Sequence, residues 1–213
     1  MDAETTLKEI AEQTRTCERC GLAATRKNAV PGTGPCNARV MLIGEGPGYY
    51  ENEQGKPFVG PAGHFLDDLL ASGGLKRSEV FITNVVKCRP PGNRDPQEDE
   101  LTACREYLDR QLEAIQPDVI VTLGRFSMAR YFKDAKISMV HGKAAWIEGK
   151  LVVPMYHPAA GLHQPNLKAT ILHDFAQLPG MLEKADTKRQ ASTKETPVSA
   201  ETPRDEATQL SFF

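Results

Sequence analysis

The sequence predicts a single α/β domain in which helices flank a central, mostly parallel sheet of four strands. Four short apolar segments have the length of buried strands, and helical patterns separate them. Strands that alternate with helices favour parallel pairing through right-handed crossovers. The chain has 213 residues, 40% of them hydrophobic, which is enough for one sizeable core. The predicted strands lie at residues 39–43, 80–86, 118–123 and 151–156.

The helices follow from the spacing of apolar residues. Near the start of the chain, Leu7, Ile10 and Ala11 share one helical face, which predicts an amphipathic helix. Pro96 lies at a helix start and Pro117 at a strand start, where proline is tolerated. Helices are predicted over residues 2–13, 64–72, 97–115, 125–132 and 166–178.

Composition divides the chain into a domain and a tail. We place the domain at residues 1–182, because large apolar residues become scarce from about residue 183. Residues 183–208 cannot bury enough surface to offset their ordering entropy, so we expect a disordered linker. The chain then ends in a short apolar segment, residues 209–213.

Charge and hydropathy limit which classes of function the chain can have, in particular nucleic-acid binding, membrane insertion and secretion. The net charge is −2 and the pI is near 6.2, so binding to nucleic acid would require a local basic patch. No stretch has the length and apolarity of a membrane span, and residues 1–13 lack the apolar core of a signal peptide. We therefore expect a cytoplasmic protein without membrane contact, and a monomer by default.

The most informative segment begins at the end of the first predicted strand, with Gly44-Glu45-Gly46-Pro47-Gly48. A glycine-rich turn at this point lets the backbone approach a ligand closely. Glu45 adds a carboxylate and Phe58 adds an aromatic ring, which together suggest a pocket for a flat, polar ligand. A glycine-rich turn by itself is more often only a tight connection.

The other strand ends strengthen this interpretation. Asn84 ends the second predicted strand, and His157 directly follows the fourth. Because ligands of open α/β sheets bind outside the carboxyl ends of the strands, Glu45, Asn84 and His157 are expected to converge. Singly, Asn84 would be a turn former and His157 a hydrogen-bonded loop residue. Together they predict a pocket that reads a nucleobase.

The cysteines indicate a metal site or cluster before they indicate disulfides, since the chain is expected to be intracellular. Cys17 and Cys20 form a C-x2-C pair, and Cys88 and Cys104 follow far along the chain. Four thiolates can hold zinc or an iron–sulfur cluster, and four unrelated buried thiols are also possible. The spacing slightly favours the cluster. Cys36 has no short-range partner and is predicted to be a free loop cysteine.

The assembled motifs resemble the family 4 uracil-DNA glycosylases, the iron–sulfur branch of that superfamily, over roughly residues 5–180. The resemblance rests on an ordered series of motifs, so a chance match is very improbable. Its carriers are Cys17-x2-Cys20, Val30-Pro31-Gly32, Gly44-Glu45-Gly46-Pro47-Gly48, the segment 55–63 (GKPFVGPAG), the segment 83–91 (TNVVKCRPP), Cys104, Leu123-Gly124-Arg125 and Tyr156-His157-Pro158-Ala159-Ala160.

The resemblance implies a [4Fe–4S] cluster on Cys17, Cys20, Cys88 and Cys104. It also implies removal of uracil from single- or double-stranded DNA by hydrolysis of the N-glycosidic bond, which leaves an abasic site for base excision repair. The base would be flipped out of the helix into the pocket, because it cannot be reached inside a duplex.

The family pattern also implies roles for the pocket residues. Phe58 would stack on uracil, Asn84 would bond O4 and N3, and His157 would donate toward O2 of the leaving base. Backbone N–H groups of the loop that includes Gly44 and Gly46 would bind the same oxygen. Glu45 would position the attacking water or stabilise the positive charge that develops on the sugar. Glu51 would crowd the methyl group of thymine.

Several further positions are expected to meet DNA. Leu162 is a candidate wedge for the space left by the flipped base, with packing on a helix as the equal alternative. Tyr49 and Tyr50 replace the more usual acidic residues, and they would shape the pocket or contact DNA. No histidine occurs in residues 89–96, where a related branch traps DNA covalently, so we expect turnover. Candidate phosphate contacts, each otherwise a solvated charge, are Lys87, Arg89, Arg94, Arg125 and Lys168.

The last five residues resemble the short peptide by which bacterial repair proteins bind the sliding clamp. Gln209 and Leu210 match that pattern, Phe213 ends it, and Phe212 replaces its usual leucine. A clamp-bound tail would raise the local concentration of the enzyme on newly made DNA. The alternative is an apolar terminus without a specific partner.

Two other function classes compete with a uracil-DNA glycosylase. One is a non-catalytic iron–sulfur protein that binds nucleic acid, or associates with the clamp, and recognises damage without cleaving it. The other is a small-molecule α/β hydrolase with a structural zinc ion.

Overall fold

The structure, a computed structural model, describes residues 2–194 and contains the predicted α/β sheet. The sheet has five strands in the order β2-β1-β3-β5-β4. Every neighbouring pair is parallel except β4 and β5, which are antiparallel. The fold class is therefore confirmed, with one strand more than predicted. The strands are β1 (Val40–Gly44), β2 (Val80–Asn84), β3 (Val119–Leu123), β4 (Ala145–Ile147) and β5 (Lys150–Met155).

The additional strand β4 is short and lies at the edge of the sheet. Its three residues are partly exposed, and the apolar run to which they belong is only four residues long, from 144 to 147. A two-residue turn at Glu148 and Gly149 joins it to β5, and both residues have positive φ angles of 49° and 78°. Such turns match the twist of a hairpin, and this turn was the feature of the sequence that could have predicted β4.

The helices of residues 2–194 cover both faces of the sheet. All five predicted helices are present, although the one predicted from 64 begins at 61, the one that begins at 125 ends at 129 and not at 132, and the one predicted over 166–178 ends at 175. The bounds are α1 (Ala3–Arg15), α2 (Tyr49–Gln54), α3 (Pro61–Ser72), α4 (Glu98–Ile115), α5 (Arg125–Ala129), α6 (Ile137–Val140), α7 (Pro158–His163), α8 (Pro165–Phe175) and α9 (Leu178–Lys194).

The central strands are buried on both faces, which explains their continuous apolar sequences. In β1 the side chains alternate between two separate cores. Leu42 packs with Leu66 of α3 and Phe175 of α8, whereas Met41 packs with Leu108 of α4. The two layers of helices hold the carboxyl ends of β1, β2, β3 and β5 along one edge.

The helix α9 corrects the predicted domain boundary. Residues 183–194 are helical, where the composition predicted the start of a disordered linker. Leu178 and Met181 begin this helix in the core, and Ala185 is 4% exposed, so the helix is anchored before its polar part begins. Asp186 then pairs with Arg39 at 2.5 Å. The remaining linker, 195–208, and the clamp-like residues 209–213 lie outside the described residues.

No helix within residues 2–194 is both long enough and apolar enough to cross a membrane.

Candidate functional site

A cavity of about 300 Å³ opens at the edge where the parallel strands end. Gly44 is paired with Asn84 across β1 and β2, which brings the glycine-rich loop and the predicted amide together. The structure therefore gathers predicted residues that are far apart in sequence. The predicted residues that line the cavity are Glu45, Gly46, Glu51, Phe58, Asn84 and His157.

Gly44 is required because two pocket side chains occupy the space beside it. A Cβ atom there would lie 2.3 Å from Oδ1 of Asn84 and 2.8 Å from the ring of Phe58. Phe58 itself has a positive φ of 51°, which is uncommon for an aromatic residue. A Cβ at Gly63 would lie 1.9 Å from the Phe58 carbonyl oxygen, so this glycine admits the unusual backbone. The two glycines thus fix Phe58 beside Asn84.

Asn84 is the most informative residue of the cavity. Its side chain is 1% exposed, yet Oδ1 has no hydrogen-bond partner among residues 2–194. A buried polar atom without a partner costs roughly 1–3 kcal/mol. Buried polar groups in proteins are nearly always paired, so an unpaired amide that lines a cavity indicates a place for a ligand.

His157 caps α7 and is held as a neutral hydrogen-bond donor. Its Nδ1 atom accepts from the backbone N–H of Ala159 at 3.2 Å, which leaves the ring proton on Nε2. Burial lowers the pKa of His157 to about 4, although the negative charge of Glu51 opposes this shift. Its ring stacks on Phe58, with centroids 5.5 Å apart and planes inclined by 28°.

The two carboxylates of the cavity have different surroundings. Glu51 accepts three backbone hydrogen bonds, from the N–H groups of Gly48 (3.1 Å), Val59 (2.9 Å) and Gly60 (3.0 Å). It therefore holds the glycine-rich loop against the loop that carries Phe58. Glu45 is partly buried, and burial together with the charge of Asp95 raises its pKa, while Arg125 opposes the shift.

Three apolar side chains are exposed on segments that adjoin the cavity. Tyr49 and Tyr50 begin α2 with exposed fractions of 54% and 50%, and Leu162 in α7 is 44% exposed. The guanidinium of Arg89 lies 5.5 Å from the centre of the Tyr49 ring. Aromatic and cationic groups in this arrangement are suited to stacking with nucleobases.

The prediction that Lys87 meets phosphate is wrong, because Lys87 is fully buried. It lies three residues beyond β2, between the buried residues Val86 and Cys88. Its ammonium donates to Thr83, Asn84 and Gln111 inside the protein, and burial lowers its pKa to about 8. Nothing in the local sequence indicated this burial, because the side-chain acceptors of the ammonium lie on β2 and α4.

The other predicted phosphate contacts have partners within the protein. Arg94 forms a two-pronged pair with the buried Glu100, at 2.6 and 2.9 Å, and Arg125 pairs with Asp95. Lys168 lies 5.3 Å from the ring centre of Phe65. The side chains of Arg94 and Arg125 remain partly exposed, at 38% and 63%.

Sequence reasoning missed the loop that forms the opposite wall of the cavity. Pro90 and Asn93 line the cavity, and Asn93 accepts from Arg89 at 2.8 Å. Gly92 between them has a φ of +63°, which turns the loop back toward the cavity. The Pro-Pro-Gly-Asn sequence indicated a turn, but nothing in it indicated which way the turn faces.

A second cavity brings the four predicted cysteine ligands together. Cys17 and Cys20 follow α1, Cys88 follows β2, and Cys104 lies in α4, and all of them line this cavity. The backbone N–H of Lys87 donates to Sγ of Cys104 at 3.2 Å, and Arg26 donates to Sγ of Cys88 at 3.6 Å. Donors of this kind stabilise thiolates that bind a metal or a cluster.

The four thiols are candidate ligands of a metal ion or of an iron–sulfur cluster. A single tetrahedral zinc ion draws each sulfur to about 2.3 Å from one centre. Within residues 2–194, no three His, Cys, Asp or Glu side chains approach closely enough to hold a single metal ion. An iron–sulfur cluster is larger than one ion and is also held by four cysteine thiolates. Cys36 is partly buried and does not line this cavity.

Comparisons with known proteins found a matching family model and several similar proteins. Residues 31–176 match the model of the uracil DNA glycosylase superfamily. The chain is 50% identical to a type-4 uracil-DNA glycosylase of Saccharolobus solfataricus, over 79% of this chain and 83% of that protein. It is 47% identical to the type-4 uracil-DNA glycosylase of Sulfurisphaera tokodaii, over 81% and 83%. The corresponding protein of Thermotoga maritima is 39% identical, over 85% and 97%.

Proposed function

The chain belongs to the uracil DNA glycosylase superfamily, and we propose that it removes uracil from DNA by hydrolysing the N-glycosidic bond of a flipped-out nucleotide. The reaction leaves an abasic site, the first intermediate of base excision repair. The observation that carries this proposal is the buried, unpaired amide oxygen of Asn84, a residue that lines the cavity with Phe58.

Uracil could pair with both the donor and the acceptor of the Asn84 amide, whereas cytosine could pair with neither. The Nδ2 group of Asn84 would donate to O4 of uracil, while Oδ1 would accept from the N3–H group. Cytosine presents a donor and an acceptor in the opposite order, so both pairs would be mismatched in a buried place. A site built around such hydrogen bonds can reject the wrong ligand by roughly 10⁴-fold or more. Phe58 would stack on the face of the base.

His157 would act on the leaving group. Negative charge develops on uracil O2 as the glycosidic bond breaks, and a neutral imidazole with its proton on Nε2 can donate to that oxygen. Backbone N–H groups of the loop formed by residues 44–48 would assist. Glu45 would position the attacking water or stabilise the positive charge on the sugar. No covalent link between enzyme and DNA forms in this scheme, so the enzyme turns over.

Selectivity against thymine would depend on the wall formed by Glu51. Its carboxylate is fixed by three backbone N–H groups, so it cannot move aside for a methyl group without breaking those bonds. On the outer surface, Leu162 would enter the gap in the base stack, and Tyr49 and Tyr50 would contact the strand next to the flipped nucleotide.

We also propose that Cys17, Cys20, Cys88 and Cys104 hold a [4Fe–4S] cluster. When bound, the cluster supplies four iron–thiolate bonds that tie together the segment after α1, the segment after β2 and α4. The cysteine residues come from three elements that pack together, so the cluster would stabilise the wall behind Asn84.

Removing one cysteine ligand is expected to release the cluster. Cys20→Ser should give protein without bound iron and sulfide, and its melting temperature should fall by roughly 10 °C or more. Cys36→Ser is the matched control and should retain both. Metal analysis and a melting curve of each variant are the measurement. Bound zinc in the natural protein, or an unchanged iron content in Cys20→Ser, would contradict this assignment.

The excision rate is expected to show no histidine titration. The folded-state pKa of His157 is about 4, below the ordinary value of 6.5, so the ring stays neutral from pH about 8 to about 5. An acid limb, if it arises from Glu45, should begin above the usual range of a glutamate, because burial raises the pKa of that carboxyl. The measurement is the single-turnover excision rate as a function of pH, for the natural protein and for Glu45→Gln.

The stability of the fold supplies a check on the same pKa. As pH falls from about 6.5 to 4, the unfolded chain protonates His157 before the folded chain does, so this residue contributes a loss of stability in that window. The loss of stability should be smaller in His157→Gln.

An excision rate that falls with a midpoint near pH 6.5 would contradict the assignment of His157 as a neutral donor.

The proposed activity is tested with purified protein and oligonucleotides that contain one uracil, cytosine or thymine. We expect release of free uracil, and alkali-sensitive abasic sites only in the uracil strand, whether single- or double-stranded. Tight binding of the uracil strand without release would favour the alternative, a non-catalytic damage-recognition protein. Attachment to a bacterial sliding clamp, the monomeric state and a cytoplasmic location stay predictions.

A further inference from the structure

We propose that Lys87 is a positioning residue that holds Asn84 in its base-reading position and joins it to the cluster. The proposal rests on the proposed function, since it concerns how the same pocket recognises uracil. Lys87 itself cannot touch the substrate, because its side chain is fully buried and does not line the uracil cavity.

The ammonium of Lys87 is held by three acceptors. It donates to Oγ1 of Thr83 at 2.6 Å, to the carbonyl oxygen of Asn84 at 2.8 Å and to Oε1 of Gln111 at 2.8 Å. A lysine has three N–H donors, so this environment uses all of them. A fully buried lysine is rare unless such partners are present, since an uncompensated buried charge is very costly.

The surroundings fix the ammonium in turn. Thr83 Oγ1 donates to the carbonyl oxygen of Pro31 at 2.9 Å, and Nε2 of Gln111 donates to the same oxygen at 2.7 Å. The result is a closed network between β2, α4 and the segment at Pro31. Asn84 is its outermost member, because its carbonyl oxygen lies in the network while its side chain lines the cavity.

The same lysine meets the cysteine cavity through its backbone. Its N–H group donates to Sγ of Cys104, and the next residue is Cys88. One residue therefore contacts a proposed cluster ligand through its main chain and the base-reading residue through its side chain. A shift of Lys87 would therefore change its contact with the carbonyl oxygen of Asn84.

The first test is Lys87→Met, which keeps the length of the side chain and removes the ammonium. The backbone N–H group that meets Cys104 remains, so iron content and visible absorbance should be retained. Uracil excision should fall roughly 10- to 100-fold, the usual range for a residue that supports a ligand-binding side chain. An excision rate equal to that of the natural protein would overturn the proposal.

A double-mutant cycle separates positioning from a general loss of stability. If Lys87 acts through Asn84, then Lys87→Met should have little effect on excision in an Asn84→Ala background, within about threefold, because the residue that it positions is absent. Equal effects in both backgrounds would overturn the proposal. If the natural protein excises no uracil at all, the proposed function fails instead, and the two failures are thus distinguishable.

A second variant tests whether poor folding explains the effect of Lys87→Met. In Lys87→Met, Oε1 of Gln111 loses the ammonium and keeps only the hydroxyl of Thr83 at 3.2 Å, whereas Lys87→Met with Gln111→Met removes this acceptor. This double variant should recover much of the melting temperature but not the excision rate. Recovery of both would show that Lys87 serves only to satisfy buried acceptors, and the proposal would be wrong.

Discussion

Replacing Asn84 by aspartate is expected to lower the single-turnover rate of uracil excision by roughly 10³-fold or more. The substitution keeps the shape of the side chain and replaces the Nδ2 donor by an oxygen. An ionised carboxylate would then face O4 of uracil, with two acceptors opposed in a site where the residue is 1% exposed. The measurement is the excision rate with enzyme in excess over a uracil-containing oligonucleotide.

The same substitution should change which base is tolerated. A protonated aspartate can donate to N3 of cytosine and accept from its amino group, so weak cytosine excision should appear in Asn84→Asp. Asn84→Ala is the control, since it removes both interactions and should lose uracil excision without gaining cytosine excision. Near-natural uracil excision by either variant would show that Asn84 does not read the base.

Replacing His157 by alanine is expected to lower the excision rate by roughly 10²- to 10³-fold, the usual effect of removing one donor from a site that stabilises developing negative charge. The loss should lie in the rate of bond cleavage and not in the affinity for DNA, because the charge on uracil O2 develops only as the bond breaks. Single-turnover rates and DNA-binding constants, measured on the same oligonucleotide, separate the two effects.

His157→Gln provides the matched comparison. A glutamine amide keeps a donor and should retain more activity than alanine. Both variants lose the bond from the N–H of Ala159, which caps α7 and contributes about 1 kcal/mol, so their melting temperatures should be similar. Equal losses of activity in the two variants, together with weaker DNA binding, would indicate that His157 supports the loop and not the leaving group.

The sequence predicted the parts of the site that follow from strand ends. Gly44, Asn84 and His157 each end or directly follow an apolar run, so the parallel sheet brings them to one edge. The four cysteines could be predicted in the same way, since their spacing and the family resemblance point to them as candidate ligands before any contact is known. Gly44, Asn84 and Cys104 lie in regular elements, and the other residues of both sets follow the end of one.

The parts that the sequence did not predict depend on contacts between distant segments. Lys87 reads as a surface lysine until its acceptors on β2 and α4 are known. Glu51 is still expected to crowd a methyl group, but the sequence did not show that its oxygen atoms also bind the backbone of two loops. The polar part of α9 lacks an apolar face, so only its packing through Ala185 and its pair with Arg39 reveal the helix.

The most direct measurement is a crystal structure with DNA that contains a non-hydrolysable 2′-fluorinated deoxyuridine. We expect the flipped uracil to stack on Phe58, with the amide of Asn84 at about 3 Å from O4 and N3, and with Nε2 of His157 at about 3 Å from O2. A uracil bound outside this cavity, or an Asn84 side chain turned away from the base, would contradict the account.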